Sequence, residues 1–157
     1  MRSEERIALL LKGSGRTLSA AESCTGGNIS HLITTVSGSS AYYLGSVTSY
    51  AISVKEKVLK VPSGIIKEKG VVSSEVAAAM AEGVRKLTGS TYSVATTGLA
   101  EGSDEHYPEG TVWMAVCGPK GTKTRLFQCE GPRKSNIRSF TTAALRFLAD
   151  YIEKDIK

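Results

Sequence analysis

No apolar run in this chain approaches the ~18 residues of a membrane span, so a spanning helix is excluded from the start. The opening, Met1-Arg-Ser-Glu-Glu-Arg6, is charged throughout and lacks the apolar stretch of a secretory leader. Cysteine is scarce: Cys24, Cys117 and Cys129 are odd in number and stand at no metal-ligand spacing. That argues against a disulfide framework and a metal site, and for a reduced, cytoplasmic protein. Cys117 and Cys129 read as small buried hydrophobes. The two histidines, His31 and His106, read as surface residues. Aromatics make up only 6%, and Trp113, between Val112 and Met114, reads as a sheet or core residue rather than a base-stacking platform. Internal repeats, linkers and low-complexity segments are all missing, as are a P-loop and a G-x-S-x-G elbow.

What is present is ordinary globular material, with 41% hydrophobic and 22% charged residues. At 157 residues the chain suits one domain with a core of its own. The net charge of +5 invites a nucleic-acid reading. The basic residues are dispersed, however, and the densest cluster, Lys55-Glu-Lys-Val-Leu-Lys60, is cut by Glu56. A modest positive field that draws in small anions fits better than a duplex-binding face.

Periodicity gives the order of elements. Ser3 to Lys12 reads as a helix capped by Ser3, with Ile7, Leu10 and Leu11 inward and Gly13 and Gly15 ending it. A strand from Leu18 leads into a helix that carries Ile29, Leu32, Ile33 and Val36 at i, i+3, i+4, i+7. Tyr42 to Tyr50 is rich in strand formers. A short helix over about Ser53 to Lys60 stops at Pro62, and one further turn covers Ile65 to Lys69. Ser73, Ser74 and Glu75 open a helix to about Leu87, facing inward at Val76, Met80, Gly83, Val84 and Leu87. Thr91 to Thr97 is a strand, followed by a polar, acidic loop over 99–109. Thr111 to Cys117 and Thr122 to Glu130 form a hairpin through Gly118-Pro-Lys-Gly121. A long helix from about Lys134 closes the chain with Ile137, Phe140, Ala144, Phe147, Leu148, Tyr151 and Ile152. Strands alternating with helices, plus a late hairpin, predict an α/β fold of three layers, α/β/α, with a mixed central sheet.

Leu18-Ser-Ala-Ala-Glu-Ser-Cys-Thr-Gly-Gly27 is the stretch that draws attention. Its first half suits a buried strand, and its second half is a turn into a helix. Unpaired helix N–H groups and the macrodipole make such a turn a ready anion site. Gly26 and Gly27 allow close approach to its backbone. It offers a hydroxyl (Ser23 or Thr25), a thiol (Cys24) and a carboxylate (Glu22). Those groups suit a nucleophile that attacks a carbonyl, or a phosphate cradle. The plainer alternative is a helix cap followed by a glycine turn.

Four segments in order resemble the C-terminal domain of the CinA family, the nicotinamide mononucleotide deamidase domain. They are Ala21-Glu-Ser-Cys-Thr-Gly-Gly27; Gly38-Ser-Ser40 with Gly45-Ser-Val-Thr-Ser-Tyr50 and Lys55; Gly70-Val-Val-Ser73 with Met80-Ala-Glu-Gly83; and Thr97-Gly98 with Gly110-Thr-Val-Trp113 and Arg133. The similarity covers about residues 5 to 150. It implies a stand-alone form of the domain, spanning 1–157. It also implies hydrolysis of the carboxamide of nicotinamide mononucleotide to nicotinate mononucleotide and ammonia. No metal or organic cofactor is implied. The implied partner is the small mononucleotide alone, with no nucleic acid and no membrane, in a homo-oligomer such as a dimer.

By the same resemblance Ser23 is the nucleophile. Lys55, or Tyr50 relayed through Lys55, is the base. Glu22, Cys24, Thr25, Gly26, Gly27, Thr97, Gly98 and Arg133 surround the substrate. With no histidine at a matching position, this would be a Ser-Lys site rather than a Ser-His-Asp triad. A lysine serves as base only where burial or a neighbouring cation lowers its pKa. Arg133 could be that cation, or could bind phosphate bidentately. The N–H groups after Ser23 would form the oxyanion hole.

Three departures from the family pattern bear on substrate. Tyr50-Ala51-Ile52 stands where the family reads Tyr-Ser-Asn, and Pro132-Arg133 stands for an Asp-Arg pair. The glycine-rich loop after Thr97-Gly98 is replaced by a shorter one bearing Glu101, Asp104, Glu105 and Glu109. The alternative readings are therefore a catalytically degenerate domain that binds a nucleotide or a protein, and an amidase for a less anionic amide.

Overall fold

Leu18–Glu22 (β1) is buried on both faces, which only a strand at the centre of a covered sheet achieves. In the computed structural model, which describes residues 1–157, β1 lies between Tyr43–Thr48 (β2) and Tyr92–Leu99 (β3) and runs parallel to both. Thr111–Gly118 (β4) and Gly121–Gln128 (β5) extend the sheet by antiparallel pairing. The order is β2-β1-β3-β4-β5. The hairpin turn is tight, because Gly118 pairs with Gly121 across Pro119-Lys120.

Alternation along the strands sorts the core into two layers. Leu18, Ala20, Tyr92, Val94, Val112, Met114 and Val116 face Ser3–Leu11 (α1), Asn28–Thr34 (α2) and Arg133–Ile156 (α6). Ala21, Ala95, Ala115 and Cys117 face Ser63–Lys69 (α4), Ser74–Thr88 (α5) and the Leu59–Val61 segment. A short helix, Ile52–Lys57 (α3), follows β2. The molecule is thus the expected three-layer α/β/α arrangement around a mixed sheet.

Differences from the sequence expectation lie at ends and edges. Arg2, not Ser3, caps α1; the Glu5 carboxylate accepts the Arg2 backbone N–H at 2.9 Å. Leu87, expected inward, is exposed, because α5 turns Val76, Ala77, Met80, Ala81 and Val84 to the sheet. Ser73 caps α5 by accepting from the Val76 N–H at 3.2 Å. Gly83 is required by packing: a Cβ there would stand 2.1 Å from the Leu59 carbonyl oxygen. Cys117 is buried as expected, whereas Cys129 is half-buried and donates its thiol to Asn136 Oδ1 at 3.3 Å. Both histidines are exposed.

One topological fact positions the site. From β1 the chain crosses through α2 to β2 on one side. From β2 it crosses through α3, α4 and α5 to β3 on the other. The strand order therefore reverses at β1. In open α/β sheets ligands sit in the crevice outside the carboxyl ends of the strands at such a reversal. Ser23, Ser49 and Leu99 stand at the carboxyl ends of β1, β2 and β3.

Candidate active site

At that crevice lies a pocket of about 260 Å³. Its floor is formed by Ser23, Cys24 and Lys55, and Thr97 and Gly98 line one wall. Lys55 enters from α3 and is 1% exposed, and its Nζ lies 2.9 Å from Ser23 Oγ. It also donates to the carbonyls of Ser49 at 2.5 Å and Tyr50 at 3.3 Å. Ser49 is itself fixed, its N–H and hydroxyl both donating to the Glu22 carbonyl. Two carbonyls and one hydroxyl thus surround the amine. When Nζ is neutral, its two N–H groups satisfy the carbonyls and its lone pair faces the Ser23 hydroxyl.

Burial lowers the pKa of Lys55 from 10.5 to about 8, since an ammonium loses its hydration there and faces no carboxylate. The expected cation at Arg133 plays no part in that shift, and desolvation alone accounts for it. The thiol moves the other way: burial pushes Cys24 up to about 12. At neutral pH the thiol therefore stays protonated, and the hydroxyl beside the amine is the group that can be activated.

The remaining residues of the motif hold the turn. Glu22 is 0% exposed, and its carboxylate accepts from the Thr25 hydroxyl and from the N–H groups of Gly27, Ile29 and Ser30. A buried carboxylate thus fills the N-terminus of α2 from within, so the free anion site expected there is already occupied. Thr25 also contacts the Thr96 hydroxyl at 2.9 Å and is buried. Glu22, Thr25, Gly26 and Gly27 lie outside the pocket lining. Gly26 and Gly27 have φ of 60° and 104°, the left-handed backbone that lets this turn close. The N–H groups of Cys24 and Thr25 donate to no backbone carbonyl within the chain.

Tyr50 is 62% exposed and sits at the rim. Its phenol accepts from Arg133 Nη2 at 2.9 Å, and only its backbone carbonyl touches Lys55. The Thr97 hydroxyl donates to the Val71 carbonyl at 2.8 Å, tying β3 to the segment before α5. Gly98 admits β4: a Cβ there would stand 2.6 Å from the Thr111 carbonyl oxygen.

A sequence profile described as the CinA C-terminal domain matches residues 1–152. The chain belongs to the CinA C-terminal domain family. It is 47% identical over 145 residues to a CinA-like protein of Geotalea daltonii, covering 90% of this chain and 35% of that protein. A CinA-like protein of Citrifermentans bemidjiense is 43% identical over 152 residues, covering 95% and 36%. The chain thus spans about a third of the length of these relatives. A competence-damaged protein (CinA) superfamily structure from Klebsiella pneumoniae superposes with a TM-score of 0.92 at 26% identity, covering 98% and 99% of the two chains. The competence/damage inducible protein CihA from Agrobacterium tumefaciens gives 0.88 at 28% identity, covering 92% and 90%.

Within this CinA domain the divergent loop resolves into distinct roles. Asp104 Oδ1 accepts from the N–H groups of His106 and Tyr107, and Glu109 Oε1 accepts from the Gly102 N–H. Glu105, 84% exposed, lies 3.4 Å from His106 Nε2. Of the four loop carboxylates only Glu101 lines the pocket, where it faces Arg133 at 3.6 Å. Ile52, the departure from the family's asparagine, also lines it, as do Val71, Val72, Leu99 and Ala100, to which the sequence assigned no role at the site. Val71 and Val72 lie in the matched Gly70–Ser73 segment, but an apolar pair there reads equally well as core. Ser49 had a signal available, since it immediately precedes Tyr50 in the matched Gly45–Tyr50 string. No helix is long and apolar enough to cross a membrane.

Proposed function

We propose that this domain hydrolyses the carboxamide of nicotinamide mononucleotide to nicotinate mononucleotide and ammonia, with Ser23 as nucleophile and Lys55 as base. The observation that carries this reading is the 2.9 Å contact between Ser23 Oγ and a buried, pKa-lowered amine at the floor of a pocket.

The steps follow from those two groups. Neutral Lys55 takes the Ser23 proton as Oγ bonds to the carboxamide carbon. The developing oxyanion is received by the N–H groups of Cys24 and Thr25, which no backbone carbonyl occupies. The Lys55 ammonium then gives its proton to the departing nitrogen, the C–N bond breaks and ammonia leaves. A Ser23 ester remains. Lys55 next takes a proton from water as the hydroxide attacks the ester. It returns that proton to Oγ as the ester C–O bond breaks, releasing the carboxylic acid, which ionises to the carboxylate by losing its proton to water. Arg133 at the rim supplies the guanidinium for the substrate phosphate.

Ammonia release from nicotinamide mononucleotide, measured for the native protein and Ser23→Ala, tests the reading. The native protein is expected to turn over, and the variant to fall by at least about a hundredfold. Equal and negligible release from both would favour a binding domain of the same fold. An amidase for a less anionic amide has one observation in its favour, the carboxylate that already faces Arg133.

A further inference from the structure

Three elements meet over the pocket mouth. Tyr50 comes from the segment after β2, Arg133 begins α6, and Glu101 follows β3. Arg133 donates to the Tyr50 phenol at 2.9 Å through Nη2 and faces Glu101 Oε1 at 3.6 Å through Nη1. The guanidinium is thus shared between a neutral acceptor and a carboxylate. Lys55 is the only other cation on the lining, and it is buried at the floor with three oxygens around it.

We propose that Glu101 is a charge-selecting residue, which occupies Arg133 and biases the pocket against substrates that carry a phosphate. The proposal rests on the amidohydrolase reading for the identity of the ligand, and on the Glu101–Arg133 pair for its sign. A phosphate that approaches Arg133 must displace the Glu101 carboxylate or sit beside it, and like charges at that range repel. The pyridinium cation is common to the mononucleotide and its nucleoside, so only the phosphate makes the carboxylate discriminate between them. The effect is one of degree: Glu101 weakens the hold on the mononucleotide relative to the same amide with an uncharged tail. The other loop carboxylates do not share this role, since none of them lines the pocket and Asp104 and Glu109 are bonded within the loop.

Side-chain exposures of 45% for Arg133 and 65% for Glu101 set the scale. A solvated pair gives a modest, salt-sensitive effect of roughly fivefold in affinity. The test uses Ser23→Ala, so that no ligand is consumed, and compares it with the Ser23→Ala, Glu101→Gln double variant. Calorimetry at low ionic strength gives dissociation constants for nicotinamide mononucleotide and for nicotinamide riboside, which differ only in the phosphate. Removal of the carboxylate is expected to tighten the mononucleotide about fivefold and to leave the riboside unchanged or weaker. Adding Arg133→Ala is expected to abolish most of the mononucleotide gain. Equal shifts for both ligands, no shift for either, or no binding of either to any variant would overturn the proposal. Failure of the hydrolysis reading would show separately, as no ammonia release from either compound with the unmodified protein. The binding comparison would still stand in that case.

Discussion

Three oxygens and near-complete burial decide what Lys55 can do. Its amine is hydrogen-bonded but never paired with a carboxylate, so desolvation is uncompensated and the neutral form is far more accessible near neutral pH than in a solvated lysine. A base that must be neutral to act gives a rate that rises with pH. Below about 8 the neutral fraction grows tenfold per pH unit, and above that value it saturates. The limb of kcat/KM between pH 6 and 8 is therefore expected to have unit slope and to level off near 8. A flat profile over that range would remove Lys55 as the base. Cys24 cannot mimic this limb, since burial places its thiol near 12.

At the level of elements, the turn from β1 into α2 depends on Glu22. One carboxylate satisfies three backbone N–H groups and the Thr25 hydroxyl in a site closed to solvent. Its negative charge also opposes the positive end of α2, which makes the bonds charge-assisted. Glu22→Ala leaves those donors without an acceptor and is expected to cost about 3 kcal/mol. Denaturant unfolding would show this as a lower midpoint, with activity falling as well because Ser23 is the next residue. A loss under ~0.5 kcal/mol, the range of surface substitutions, would mean that water or rearranged backbone replaces the carboxylate.

Over the whole molecule, what could be read from the sequence follows a physical division. Elements with strong periodicity, such as α5 and α6, and the turn chemistry of the hairpin were legible, because local pattern determines them. The three-layer arrangement followed from the alternation of strands and helices. Leu87 went the other way: its spacing fitted the buried face, and only the angle at which α5 meets the sheet leaves it outside. Ser23 and Lys55 were identified by resemblance, since no periodicity links residues 32 positions apart. The parallel pairing of β1 with β2, which sets Glu22 beside Thr48, is what brings them together. Glu22 was read as facing substrate because a carboxylate beside glycines looks available; its burial under α2 is a tertiary fact. The loop carboxylates were separable only by their partners, which lie in the loop for two of them and across the pocket for Glu101.

All of these scales converge on one amine that the closed layers hold away from water. Carbon-detected NMR of lysine-labelled protein, with the Lys55 Cε signal assigned by its loss in Lys55→Met, reports its protonation directly. The account predicts a titration midpoint near 8. A midpoint near 10.5, the ordinary value of a solvated lysine, would contradict it.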